Sequence, residues 1–205
     1  MGLDGLPIGT ATKTTIGPSQ PQHGTQLSAP LELFLDNLRS VFNVGTIFRT
    51  ADGAKVDHIH LCGITPTPEN PRLHKTALGA EEVVPWSYSA NGLQKAQELQ
   101  KLGKQLWCLE MAKDSRSLYT LASPDQGWSS VQANQNGQSP SIVLIVGNEI
   151  AGVDPEIQAL ADERIHLPML GIKGSLNVAV ALSIALYHIR YSMHGLIVRR
   201  SSERY

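Results

Sequence analysis

Residues 141–153 read "SIVLIVGNEIAGV", an apolar run that ends in a turn carrying glycine at 147 and 152. A glycine-rich turn after a buried strand usually marks a cradle for a nucleotide phosphate, because bare backbone N–H groups there approach an anion closely. Here Glu149 stands where the phosphate would sit. The turn reads GxExxG, without the middle glycine that lets backbone approach a pyrophosphate, and it lies late in the chain rather than at a first βα turn. A dinucleotide-dependent oxidoreductase is therefore set aside.

Outward from this strand the pattern repeats. "LELFL" from Leu31, "HIHLCG", "EEVVPW" and "QLWCLEM" are short strand-like runs. They alternate with helical segments near 43–51, 72–79, 92–102 and 154–161, the βα rhythm of a mostly parallel sheet with helices on both faces. In the first helix Val44, Ile47, Phe48 and Ala51 fall at i, i+3, i+4 and i+7, which turns Arg49 away from the apolar stripe. Asn43 is placed to cap that helix, and Gly45 lets another backbone approach. Capping explains Asn43 but gives no reason for an arginine among Ile47, Phe48, Thr50 and Ala51. Further on, "LPMLGIKGSLNVAVALSI" is a loop whose Ser175 is placed to cap a long apolar helix, with Asn177 in its first turn.

The rest of the chain bounds the reading. With 205 residues and 41% hydrophobic content, one buried core is expected, spanning 30–197. Residues 1–29, rich in Gly, Pro, Ser, Thr and Gln, read as a flexible arm; 123–140 reads as a polar surface excursion, and 198–205 as a basic tail. A net charge of -1 excludes a global basic field, so any RNA contact rests on local charges such as Arg39, Arg72, His74, Lys75, Lys173, Arg199 and Arg200. Cys62 and Cys108 lie in apolar runs without CxxC spacing and read as buried reduced thiols. His58, His60 and His166 show no metal spacing and read as packed or edge residues; no metal is expected. The apolar stretch of the C-terminal helix is shorter than a membrane span and carries Asn177, Ser183 and His188, and the N-terminus shows no export or myristoylation pattern. These features predict a cytoplasmic protein that does not enter a membrane.

Taken in order and at their distances, "LDNLRSVFNVGTIFRTADGAKVDHIHLCG", "IVLIVGNEIAGVDPEI" and "IHLPMLGIKGSLNVAVALSIALYHI" closely resemble the three signature motifs of the SpoU/TrmH branch of the SPOUT superfamily. Its members are S-adenosylmethionine-dependent RNA 2′-O-ribose methyltransferases. The resemblance covers roughly residues 30–195. It implies an α/β domain with a deep C-terminal trefoil knot, an exception to un-knotted topology, and an obligate homodimer built around the site. It also implies that the turn after the apolar run holds a methyl donor, which has no phosphate, mainly through backbone groups. By resemblance Leu109, Gly147, Leu167, Ser175 and Leu176 would contact that donor, while Arg49, Asn43, Glu149, Ser175 and Asn177 match the family's catalytic positions. Glu149 and Asn177 would shape the loops, and Asn43 and Ser175 would reach the RNA or the arginine.

The family assigns activation of the 2′-hydroxyl to the arginine matched by Arg49, supplied from one subunit to the donor pocket of the other. A guanidinium is almost never a free base, so two roles stay open: general base, or holder of phosphate that polarises the hydroxyl. Small members without an added RNA-binding domain often act on tRNA, which favours tRNA over rRNA by analogy only. An rRNA methyltransferase and a catalytically silent RNA-binding module are the alternatives, and the matched catalytic positions argue against the second.

Overall fold

The computed structural model describes residues 30–121 and 141–201. The chain runs β1 (Leu31–Asp36), α1 (Val41–Gly53), β2 (His58–Cys62), α2 (His74–Ala77), α3 (Ala80–Val83), β3 (Trp86–Ser89) and α4 (Gly92–Lys101). It continues with β4 (Gln105–Leu109), β5 (Arg116–Ser117), α5 (Leu118–Leu121), β6 (Ile142–Val146), α6 (Pro155–Gln158), β7 (Glu163–His166) and α7 (Val178–Ser201). The arm at 1–29 and the excursion expected at 123–140 lie outside the described residues. Of the expected tail, 198–201 continue α7 and 202–205 lie outside.

The strands form a seven-stranded sheet in the order β3-β2-β1-β6-β4-β7-β5 among the described residues, and every strand pair is parallel. The continuous apolar run of β6 follows from this placement, because a central parallel strand is buried on both faces. Ile142, Leu144 and Val146 join Leu31, Leu33 and Leu35 of β1 in a core closed by α1 and α7. Val143 and Ile145 point the other way, with Phe34, into a smaller core closed by Ala96 and Leu99 of α4 and Ile157 of α6. Helices thus cover both faces. The order also shows where the chain reverses its direction of growth. β1, β2 and β3 build outward on one side, β4 starts the other side, and β6 then inserts between β1 and β4. In open α/β sheets such a switch leaves a crevice beyond the carboxyl ends of the strands.

The apolar stripe expected on α1 is buried, with Val44, Ile47, Phe48 and Ala51 all inside. Its cap differs from expectation. Ser40, not Asn43, is the N-cap, and its side chain accepts from the Asn43 backbone N–H at 3.2 Å. Asn43 sits within the first turn, its carboxamide left for other partners. Gly45 has the predicted role: a Cβ there would lie 2.2 Å from Thr76 Oγ1 and 2.5 Å from the Leu73 carbonyl, so α2 docks directly on α1.

"EEVVPW" is corrected from strand to a helical turn followed by a strand. Glu81 is buried, accepts from the Gly79 N–H at 3.0 Å and lies 2.7 Å from His74 Nδ1. These bonds curl the chain into α3 before Pro85, and β3 starts at Trp86. A side chain that bonds its own local backbone overrides the strand preference of a short pair of valines. The cap of α7 is corrected as well: Asn177, not Ser175, accepts from the N–H groups of Ala179 at 3.0 Å and Val180 at 3.4 Å, while its carbonyl accepts from Ala181. Ser175 lies two residues too early to reach them.

Helix α7 is only partly a core helix. Ala179, Leu182, Ala185, Leu186 and Ile189 are buried, whereas Val180, Ile184, Tyr187 and Tyr191 form an exposed apolar stripe. Arg190 is buried and donates to the carbonyls of Ala54 at 3.0 Å and Lys55 at 2.5 Å, binding α7 to the end of α1. Among the described residues no helix is long and apolar enough to cross a membrane. Cys62 and Cys108 are free and buried, and burial pushes both thiols up, Cys108 to about 12.

Candidate functional site

A cleft of about 250 Å3 opens beyond the carboxyl ends of β4, β6 and β7. Its floor begins where the strands stop, with Leu109 closing β4, Gly147 following β6 and Leu167 following β7; Ser175 and Leu176 form the wall before α7. All five residues matched to donor contacts therefore face one cavity, although the chain separates the first from the last by more than sixty positions. Gly147 and Leu167 are buried, Leu109 is half-buried, and Ser175 and Leu176 are exposed.

The turn at 147–152 explains why no phosphate is needed here. A Cβ on Gly147 would lie 2.2 Å from the carbonyl carbon and oxygen of Gly152 and from the Val153 nitrogen, so the loop folds back onto it. Asn148 and Gly152 exchange two backbone hydrogen bonds of 2.9 Å, and Gly152 takes a φ of +76°. Asn148 Oδ1 accepts from Ile150 at 3.0 Å and Ala151 at 3.1 Å. Four N–H groups that could wrap an anion, those of Asn148, Ile150, Ala151 and Gly152, are consumed inside the turn. Beside this close-packed backbone stand the apolar side chains of Leu109, Leu167 and Leu176.

Glu149 points out of this turn toward the start of α1. Its carboxylate accepts from the backbone N–H groups of Arg39 and Ser40 and from Asn43 Nδ2, each at 3.1 Å. Partial burial would raise its pKa, but these donors prevail and hold the carboxyl below its ordinary value. Asn43 Oδ1 in turn accepts from Asn177 Nδ2 at 3.1 Å. One hydrogen-bonded chain, Glu149–Asn43–Asn177, thus ties the turn after β6 to the first turn of α1 and the cap of α7. Ser175 stands at the rim of the cleft and makes no hydrogen bond to the described residues.

Arg49 is the exception. It is exposed on α1, does not line the cleft, and makes no hydrogen bond or ion pair with the described residues. The structure brings Asn43, Glu149, Ser175 and Asn177 to the cleft and leaves Arg49 apart from it within one chain.

Sequence reasoning missed several cleft residues: Glu110, Asn148, Gly152, His166 and Met169. The signal for Glu110 was available, since it directly follows a strand that ends at the site. His166 is held by Ser115 Oγ, 2.8 Å from its Nδ1. On the opposite face His60 is buried against Glu32 at 2.8 Å, and His58 lies 2.9 Å from Ser87 Oγ. Among the described residues no cluster of three or more His, Cys, Asp or Glu is arranged to hold a metal ion.

Comparison with known proteins points the same way. A profile described as the SpoU rRNA Methylase family matches residues 30–187. The tRNA (guanosine(18)-2′-O)-methyltransferase of Aquifex aeolicus is 30% identical over 158 residues, covering 77% of this chain and 67% of that protein. The 23S rRNA (guanosine(2553)-2′-O)-methyltransferase of Bacillus subtilis is 32% identical over 158 residues, covering 77% and 57%. Among solved structures, the AdoMet-bound rRNA methyltransferase of Sinorhizobium meliloti superposes with a TM-score of 0.66 at 27% identity, covering 84% of this chain and 58% of that one. The chain thus spans between roughly half and two thirds of the length of these relatives.

Proposed function

Because this chain belongs to the SpoU rRNA methylase family, we propose that it transfers the methyl group of S-adenosylmethionine to a ribose 2′-hydroxyl of RNA, tRNA in preference to rRNA. The observation that carries this reading is the cleft, where Leu109, Gly147, Leu167, Ser175 and Leu176 converge beside the Glu149–Asn43–Asn177 chain. The cleft fits the donor chemically. Its volume is just below the low end of the roughly 300–1000 Å3 usual for small-molecule sites, its lining sets Leu109, Leu167 and Leu176 among polar side chains, and four N–H groups of its glycine turn are already engaged. The bound donor would supply an electrophilic methyl group on a sulfonium centre.

The chain's own residues then have two tasks. The 2′-hydroxyl must lie in line with the methyl group, and the alkoxide that develops as its proton leaves must be stabilised. The Glu149–Asn43–Asn177 chain fixes the loops that hold the donor, and Ser175 at the rim is free to bond RNA. Arg49 holds a backbone phosphate and polarises the hydroxyl, a role that suits a planar guanidinium better than that of free base.

Arg49 does so from a second subunit. Nothing among the described residues brings it to the cleft, and α7, hydrogen-bonded to α1 through Thr50 and Ser183 at 3.0 Å, presents Val180, Ile184, Tyr187 and Tyr191 as a surface for self-association. The same reading includes a trefoil knot through which the turn after β6 and the loop before α7 meet. A cytoplasmic setting agrees with two free thiols and an RNA substrate. The preference for tRNA rests on the resemblance to the Aquifex protein.

The test is transfer of a labelled methyl group from S-adenosylmethionine to tRNA and to 23S rRNA transcripts, with modified riboses located by their resistance to alkaline cleavage. Labelled tRNA supports the reading, and labelled rRNA alone exchanges the substrate. RNA binding without transfer would identify a silent module and overturn the enzyme.

A further inference from the structure

Glu110 follows the last residue of β4 and reaches the cleft with one carboxylate oxygen employed and the other free. Oε2 accepts from Gln158 Nε2 at 2.8 Å and from the Val153 N–H at 3.4 Å. Gln158 Nε2 also donates to the Val153 carbonyl at 2.8 Å, which locks the amide in place. Oε1 has no hydrogen-bond partner among the described residues. It lies over Gly152, where a Cβ would stand 2.1 Å away, so the carboxylate fits only because residue 152 is glycine. The nearby Arg164 guanidinium is engaged elsewhere, with Asp114 at 2.5 Å and the Gln158 carbonyl at 3.3 Å. Burial pushes the Glu110 carboxyl up from its ordinary value, as expected for a carboxylate whose solvation is incomplete.

We infer that Glu110 is a ligand-binding residue whose Oε1 accepts hydrogen bonds from the vicinal ribose hydroxyls of an adenosine-containing ligand. The inference rests on the methyl-donor reading of the cleft and goes beyond it, since it names the side chain that reads the sugar. Three observations combine. The carboxylate is preset by two donors to its other oxygen, Oε2, so little ordering of Oε1 is needed on binding. It lies where a strand ends at the switch of sheet growth, the place from which an acidic side chain commonly reaches a ribose hydroxyl in parallel α/β sheets. An acceptor with a negative charge suits neutral hydroxyl donors and repels phosphate, in agreement with a turn whose Asn148, Ile150, Ala151 and Gly152 N–H groups are engaged.

The experiment is calorimetric titration of S-adenosylhomocysteine and its 2′,3′-dideoxy analogue into wild type, Glu110→Gln and Glu110→Ala, with melting temperatures recorded for each protein. In Glu110→Gln the amide oxygen keeps the bonds to Val153 and Gln158, so the loop holds and an NH2 group replaces the acceptor. The expected result is that both variants lose about tenfold or more in affinity for S-adenosylhomocysteine, while the dideoxy analogue binds all three proteins with the same weak affinity. If Glu110→Ala does not fold, Glu110→Gln alone decides. Equal weakening of both ligands, the sign of a loop-building role or of contact with the amino acid end, overturns the inference, as does no weakening of either. A wild type that binds neither ligand removes the donor reading itself, and this inference with it.

Discussion

Gly147→Ala tests whether the cleft depends on the close approach of two backbones. The added Cβ would meet the Gly152 carbonyl carbon, its oxygen and the Val153 nitrogen, all at 2.2 Å. Non-bonded heavy atoms prefer roughly 3.5–4.0 Å, so the loop must retreat by more than about 1 Å. That movement parts the two 2.9 Å hydrogen bonds between Asn148 and Gly152, each worth about 1 kcal/mol net, and forcing a carbon into packed structure adds about 1–3 kcal/mol. A total of about 3 kcal/mol or more would lower the melting temperature by at least about 6 °C for a chain of this size. The donor should also bind more weakly, because Gly147 floors the cleft. Gly174→Ala is the control: Gly174 lines the same cleft, yet its Cβ would meet nothing within 4 Å, so stability should stay within about 0.5 kcal/mol. Thermal melts with and without S-adenosylhomocysteine measure both effects. A Gly147→Ala protein melting within about 2 °C of wild type and binding the ligand normally would refute the reasoning.

Arg49→Ala should leave stability within about 0.5 kcal/mol and donor binding unchanged while lowering turnover on the order of 10² or more. Coexpressed with Ser175→Trp, it should yield heterodimers with about half of wild-type activity, from one restored site of two; isolated heterodimers without activity would place Arg49 in its own chain's site. Burial, then repulsion from His60, holds His58 down to about 4. Between the unfolded value of about 6.5 and 4 the unfolded chain therefore binds a proton that the folded chain does not, and stability falls as pH drops. His58→Gln should make that limb shallower in urea titrations, leaving the part contributed by His60, which burial also holds down. It should spare a second loss from about 4.3 toward 2, where Glu32 is protonated; burial would raise Glu32, but hydrogen bonds from His60 and Lys104 hold it at about 2. Arg190→Met removes the buried guanidinium that donates to the Ala54 and Lys55 carbonyls at the end of α1 and should cost about 2–4 kcal/mol, read as a melting temperature at least about 4 °C lower.

Much of this molecule is legible along the chain. The runs that became β1, β2, β4 and β6, and the buried stripe of α1, follow from apolar periodicity, a property of neighbouring residues. Eight of the nine assigned site residues lie in or beside one cleft region; Leu109, Gly147, Leu167, Ser175 and Leu176 line it, and Asn43, Glu149 and Asn177 share a hydrogen-bonded chain at its edge. Where the reading failed, the deciding bonds were ones that pattern does not encode. Glu81 turned a strand-like run into α3 by bonding Gly79 and His74, and Ser40 and Asn177 took the caps expected of Asn43 and Ser175 because a cap depends on one angle of chain entry. Strand order lay further out of reach, since the insertion of β6 between β1 and β4 brings together residues about 110 positions apart, such as Leu31 and Ile142. The clamp of Glu149 on Arg39 and Ser40 descends from that insertion, which sets the turn after β6 beside the start of α1. Local pattern specifies which segments are strands and helices because short-range sterics and burial decide them; the cleft exists only after distant segments have paired, and no run of neighbouring residues contains that information.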